Sequence, residues 1–262
     1  MEVTKETENL DLYDEHEEVV SRGGKKVKRR GIFLLPNLLT TASLFAGFFS
    51  IISSIEGNFL YAGMAVFAAQ IFDGLDGRIA RLAKAESQFG AQYDSLCDVI
   101  SFGLAPSICI FLWGLESLGQ AGWVFSFLFV AAAALRLARF NANIGSEDKF
   151  FKGLPSPVAA GMIAYYVWTL SSLGIEGQAV GFILSIVSAC ITGLVSILMV
   201  INVPYYSFKE IEMKRRVPFF SILLVVFIFA LISLDPPLVL LSCSLLYVLS
   251  GPVIWVVKNL RK

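Results

Sequence analysis

The stretch DGLDGRIARLAKAESQFGAQYDSLCD, residues 73–98, lies between two strongly apolar segments. It places four aspartates, three glycines and two arginines where the neighbouring sequence is built for lipid. A charged side chain near the centre of a bilayer costs about 2.5–3.5 kcal/mol, so four acids here need a compensating function. On a helix, Asp73, Asp76, Gly77 and Ala80 fall at i, i+3, i+4 and i+7 and share one stripe; Gly90, Asp94 and Asp98 share another. A short break joins the two helices, which makes them antiparallel neighbours. With the stripes face to face, four carboxylates converge on one small volume. Their charge calls for hard divalent cations with oxygen ligands, and four carboxylates can bridge a pair of them. Gly77, Ala80 and Gly90 keep the stripes shallow. Small residues also serve close helix packing in membranes, but interleaved with aspartates they leave room for a ligand beside the metal.

The rest of the chain agrees with a membrane setting. It has 262 residues, 56% of them hydrophobic, with a mean hydropathy of +0.71. That composition excludes an ordinary soluble domain. Net charge is zero, and no nucleic-acid partner is expected. The four cysteines, Cys97, Cys109, Cys190 and Cys243, are far apart and form no C-x-x-C pair, so neither a zinc site nor a disulfide framework is indicated. Residues 1–30 are polar, acidic at first and basic at the end, with no apolar core. They read as a mobile cytoplasmic tail rather than a signal peptide, and the only histidine, His16, is solvated there.

A spanning helix needs about 20 apolar residues. Eight stretches qualify: 37–55, 59–81, 89–113, 123–139, 157–173, 180–203, 217–234 and 237–257. The breaks between them carry turn residues, and alternate breaks differ in charge. EGN, GLESLGQAG, GIEGQ and DPP hold no Lys or Arg, whereas the tail, the other breaks, the adjoining helix ends and the final KNLRK hold all 21. By the positive-inside rule the basic breaks are cytoplasmic. The expected fold is therefore an all-α polytopic transmembrane bundle of about eight spans, with both termini cytoplasmic. Asp73 and Asp76 then lie near the cytoplasmic end of the second span, and Asp94 and Asp98 near the cytoplasmic start of the third. Asp73 is roughly 12 Å along its helix from Arg81.

The pattern Asp73-x-x-Asp76-Gly77-x-x-Ala80-Arg81, eight residues, Gly90-x-x-x-Asp94-x-x-x-Asp98 resembles the signature of the CDP-alcohol phosphotransferase family at every fixed position. The resemblance implies a membrane enzyme, usually a homodimer, that moves a substituted phosphate from a CDP-linked donor to an alcohol. It implies two divalent cations, Mg2+ or Mn2+, held by Asp73, Asp76, Asp94 and Asp98, with Asp98 also the general base. It further divides the chain into the tail (1–30), a six-helix core (31–203) and two additional helices (204–262). Phosphoryl-type transfer depends mainly on positioning and charge neutralisation, which suits such a site. Arg81, one turn beyond Asp76 and Gly77, can offer forked donors to a phosphate, or serve only as a positive-inside anchor like Arg78 and Lys84.

RFN at 139–141 followed by FKGLPSP at 151–157, together with PNLLTTASLFAGF at 36–48, is similar to the bacterial membrane-embedded phosphatidylserine synthases of that family. This implies CDP-diacylglycerol as donor, L-serine as acceptor and the inner (cytoplasmic) membrane as location, with the site facing the cytoplasm. The residues are compatible with serine. Arg136 and Arg139 lie three apart and can grip a carboxylate or phosphate, or can be topology determinants. Asn141, Asn143 and Ser156 can supply neutral hydrogen bonds. Gly153, Pro155 and Pro157 shape the loop before Ser156. Asn37 and Thr40 can contact the nucleotide, although Asn37 can equally cap the first helix. Pro106 is expected to kink the third span. Two alternatives stay open: another acceptor (glycerol 3-phosphate, inositol phosphate or choline), and a divalent-cation transporter, since intramembrane acids also mark ion pathways.

Overall fold

The computed structural model describes residues 20–22, 25–27, 34–83, 87–142, 151–177, 180–205 and 233–260. They form a nearly all-helical bundle. Helices α1 (Leu34–Ile55) and α2 (Phe59–Ala83) form an antiparallel pair. Next comes one long helical run made of α3 (Gln88–Asp98), a π-helical segment (Val99–Leu104), α4 (Ala105–Ile110), a second π-helical segment (Phe111–Leu115) and a 3-10 turn (Glu116–Leu118). Helices α5 (Gln120–Ala142), α6 (Ser156–Ser172), α7 (Phe182–Val200) and α8 (Pro236–Leu260) complete the bundle. Helices thus cover seven of the eight apolar stretches. The other, 217–234, lies outside the described residues except for its last two.

Among the described residues, five helices are long and apolar enough to cross a membrane: Leu35–Ile55, Phe89–Leu118, Gln120–Ala142, Phe182–Val200 and Pro236–Val257. Helix α2 falls short because its last turns carry Asp73, Asp76, Arg78 and Arg81. Helix α6 falls short in length, at 17 residues, yet it is buried almost all round, as expected for a central helix.

Helix α1 shows why such a sequence needs lipid. Thr40, Ser43, Ala46, Gly47, Ser50 and Ser54 are buried, while Leu38, Phe45, Phe48 and Phe49 are exposed. Small and hydroxyl residues face the protein and large apolar ones face outward, the pattern of membrane helix packing. The hydroxyls tie the helices together: Ser50 Oγ donates to the Ala62 carbonyl at 2.9 Å, and Ser43 Oγ to the Ala69 carbonyl at 3.1 Å. Two helices end on the same device. Gly57 has φ +78°, with Gly57 N–H donating to Ser54 and Asn58 N–H to Ser53. Gly174 has φ +75°, with equivalent bonds to Ser171 and from Ile175 to Leu170. The left-handed residue turns the chain back over its own last carbonyls, which glycine does without strain.

The structure departs from the sequence reading in three places. The third stretch runs on to Leu118 rather than stopping at 113. Pro106 is accommodated by wider π-helical winding before it: Ala105 N–H donates to the Ile100 carbonyl, five residues back. Proline lacks an N–H and clashes with the carbonyl four residues earlier, and a widened turn relieves both. The polar tail contains a short antiparallel pair, β1 (Val20–Arg22) with β2 (Lys25–Val27), and a second pair joins β3 (Phe151–Lys152) to β4 (Pro204–Tyr205).

Candidate active site

The buried stripe of α2 runs Ala62, Ala65, Val66, Ala69 and on to Asp76. Its spacing is that of one helix face, so the face that packs on α1 turns acidic towards its end. Asp76 is only 4% exposed. Thr40 Oγ1 of α1 donates to Asp76 Oδ2 at 2.7 Å, and the Gly77 backbone N–H donates to the same carboxylate. Across from it stands α3. One carboxylate oxygen each from Asp73, Asp76 and Asp94 lie within 4.8 Å of one another. Asp98 stands within electrostatic range of Asp73 and Asp94. The four aspartates therefore converge, and Thr40 sits among them.

The start of α3 is set by Ser87, whose Oγ accepts from Gly90 N–H at 3.0 Å. This is an ordinary N-cap. The Ser preceding a helical run was a sufficient signal for it. The cap brings Gly90 close to α1: a Cβ at Gly90 would stand 3.1 Å from Ser87 Oγ and 3.5 Å from Asn37 Oδ1. A second bond ties α1 to α3, Thr41 Oγ1 to Tyr93 Oη at 2.9 Å; nothing local in the sequence pointed to that pair. Around Gly77 the space is open, with nothing within 4 Å of an added Cβ. Ala80 is half-buried and Arg81 is exposed in the last turn of α2.

The second group of expected residues comes from α5 and α6. Arg136 NH1 donates to Ser156 Oγ at 2.8 Å, and the guanidinium lies within electrostatic range of Asp98. Arg139, one turn on, is spent differently: its NH1 donates to the Val200 carbonyl at 2.9 Å and to Asn202 Oδ1 at 3.1 Å. The two arginines share a helix face yet serve different neighbours. Asn141 Nδ2 donates to Ser95 Oγ at 2.9 Å, linking the end of α5 to α3 between Asp94 and Asp98. Asn143 and Lys84 lie outside the described residues.

The donor set fits a hard divalent cation. Mg2+ and Ca2+ bind carboxylate oxygen at about 2.0–2.6 Å, so two ligand oxygens on opposite sides stand about 4–5 Å apart. The oxygens of Asp73, Asp76 and Asp94 match that span. A buried carboxylate such as Asp76 also needs more than one hydroxyl and one amide to offset its charge. Asp73, Asp76 and Asp94 can hold one ion, and Asp98 extends the set.

The family profile described as CDP-alcohol phosphatidyltransferase matches residues 33–203, which include the four aspartates, Arg136 and Ser156. The chain belongs to the CDP-alcohol phosphatidyltransferase family. It is therefore a transferase of phospholipid synthesis that carries membrane-type helices. The chain is similar to a Helicobacter pylori CDP-diacylglycerol--serine O-phosphatidyltransferase, at 36% identity over 86% of this chain and 92% of that one. It is also similar to the Mycobacterium tuberculosis protein of the same name, at 39% identity over 52% of this chain and 50% of the other. An archaetidylserine synthase of Methanothermobacter thermautotrophicus matches at 36% identity over 65% and 69% respectively.

Proposed function

We propose that this CDP-alcohol phosphatidyltransferase moves the phosphatidyl group of CDP-diacylglycerol to the hydroxyl of L-serine and releases CMP. The observation that carries the reading is the convergence of Asp73, Asp76 and Asp94 within 4.8 Å, with the Arg136–Ser156 pair in electrostatic range of Asp98. The names of the relatives point to serine. Asp73, Asp76, Asp94 and Asp98 hold two divalent cations, Mg2+ or Mn2+. Bound there, such ions neutralise the donor diphosphate and favour the departure of CMP.

The chain's own side chains do the rest. Thr40 orients Asp76. Asn37, Gly77, Ala80, Arg81 and Gly90 border the space for the CDP end of the donor. Asp98 takes the proton from the serine hydroxyl as that oxygen bonds to the lipid-side phosphorus. The bond from that phosphorus to the CMP oxygen breaks, and CMP leaves with the electron pair. Arg136 and Ser156 receive the serine carboxylate. Arg139 and Asn141 hold the end of α5 against α7 and α3, which fixes where Arg136 stands.

The test uses purified protein, CDP-diacylglycerol, Mg2+ or Mn2+, and L-serine, glycerol 3-phosphate, inositol phosphate and choline in turn, with CMP release followed. Serine is expected to support release, and excess chelator to abolish it. Release with a different alcohol and not with serine would overturn the acceptor, and full turnover in chelator would remove the cations. A divalent-cation transporter would release no CMP with any acceptor.

We further infer eight spans, both termini and the site on the cytoplasmic side of the inner membrane, and a homodimer. In a variant without native cysteines, a cysteine at Ser87 should react only with reagent added from the cytoplasmic side. One at Gly57 should react only from the opposite side. The reverse pattern inverts the orientation. Light scattering in detergent should give twice the protomer mass; a fully active monomer would rule the dimer out.

A further inference from the structure

Gln70 stands on α2, one turn before Asp73. Its side chain crosses to α6. Nε2 donates to the Pro157 carbonyl at 2.6 Å, and the Tyr165 hydroxyl donates to Oε1. A carbonyl oxygen can only accept, so the amide turns Nε2 to Pro157 and leaves Oε1 for the phenol. Gly161 of α6 makes the room: an added Cβ there would stand 2.8 Å from Gln70 Nε2 and 2.9 Å from Tyr165 Cε2. Tyr165 is buried, and its ring meets Phe67 of α2 edge-on, with centroids 6.1 Å apart. The Gln70 amide is therefore held at both ends in one orientation.

Pro157 directly follows Ser156, whose Oγ accepts from Arg136. This start of α6 has no side-chain cap, because its N-cap residue is Pro155. Its place is fixed from outside instead. Gly153 N–H donates to the Val203 carbonyl and Leu154 N–H to the Leu198 carbonyl, each at 2.9 Å. Those bonds tie the approach to α6 to the end of α7 and the segment after it. Gln70 supplies a tie to α2, the helix that carries Asp73 and Asp76. It stands three residues from Asp73 along its own helix and bonds the residue next to Ser156. A buried polar group with both partners in place rigidifies the arrangement around it.

We propose that Gln70 is a positioning residue of the acceptor subsite: through Pro157 it sets where Ser156, and the Arg136 guanidinium bonded to it, stand relative to Asp73. The inference rests on the acceptor binding at Arg136 and Ser156, as argued above, and names the side chain that registers that subsite against the carboxylates. Gln70 touches no reacting atom and acts through Ser156. Asp76 is held separately by Thr40, so the donor end of the site does not depend on Gln70.

The experiment measures KM for acceptor and for CDP-diacylglycerol, kcat and melting temperature in Gln70→Met, Tyr165→Phe, Ser156→Ala and the double variant Gln70→Met with Ser156→Ala. Gln70→Met keeps the length of the side chain and loses both hydrogen bonds. It should raise the acceptor KM about three- to tenfold, the scale of one neutral hydrogen bond, with donor KM unchanged. Tyr165→Phe frees only Oε1 and should raise the acceptor KM by a smaller factor. Ser156→Ala should raise it too, and the double variant should show less than the product of the two single effects, because Gln70 acts through Ser156. A wild-type acceptor KM in Gln70→Met overturns the proposal. So does a matched rise in both KM values, or a double variant that shows the full product. Should Gln70→Met fail to fold, an unchanged acceptor KM in Tyr165→Phe overturns it. A wild-type acceptor KM in Ser156→Ala would move the acceptor away from Ser156 and overturn the subsite and the proposal together; a raised one beside a wild-type value in Gln70→Met removes the proposal alone. The wild-type assay identifies the acceptor first, and the variants are read with whichever alcohol releases CMP.

Discussion

Gly63 and Gly77 lie on the same helix, α2, but only Gly77 falls in the aspartate stripe. At Gly63 an added Cβ would stand 2.6 Å from the Trp168 Cβ and 3.0 Å from the Ala164 carbonyl oxygen of α6. At Gly77 nothing lies within 4 Å. The same division holds elsewhere. Gly47 of α1 lies against the Ser101 backbone, whose Cα would stand 2.7 Å from an added Cβ, whereas a Cβ added at Gly74 would meet nothing within 4 Å. In one half of the bundle glycine lets backbones approach and hydroxyls bond across helices. At the carboxylate end it leaves space beside Asp73 and Asp76. One residue type thus serves cohesion in one region and access in the other.

The contrast can be pressed hardest at Asp98. A general base contributes typically about 10²–10⁴-fold. Asp98→Asn should lower the single-turnover rate by that order, far more than it weakens CDP-diacylglycerol binding. Normal donor binding with a near wild-type rate would remove Asp98 from proton transfer. A smaller effect separates the two kinds of glycine. Gly63→Ala should destabilise the protein by about 1–3 kcal/mol through overpacking against the α6 backbone, read as a lower melting temperature with both KM values retained. Gly77→Ala should leave stability unchanged or raise it by up to about 1 kcal/mol, since alanine is the better helix former, while the KM for CDP-diacylglycerol rises. If Gly77→Ala lost stability and kept its donor KM, the open end of α2 would be a packing surface like the other.

The helices were legible because their signals are local. Apolar stretches of the right length and turn residues between them located seven helices to within a few residues at most ends, and an i, i+3, i+4 pattern put the aspartates on two facing stripes. The winding of the third stretch was not legible to the same degree. Pro106 announced a disturbance, but whether a kink or a π-helical turn results depends on what packs beside it, here Ala133 of α5 against Gly103 and Gly47 of α1 against Ser101. Thr40 was picked out as a nucleotide contact. The structure gives it a bond to Asp76, a partner in another helix that spacing within α1 could not indicate.

By itself the sequence determined a membrane bundle with an acidic site at one end of two adjacent helices, because hydropathy and helical periodicity act over a few turns. It also named Arg136 and Ser156, but as separate candidates. Only the tertiary structure joined them, separated Arg136 from Arg139, linked Ser95 to Asn141 and stacked Tyr247 on Tyr205. Those pairings join residues 20 or more positions apart. Which of many compatible partners a side chain meets is decided by how the helices cross, and no local pattern carries that information.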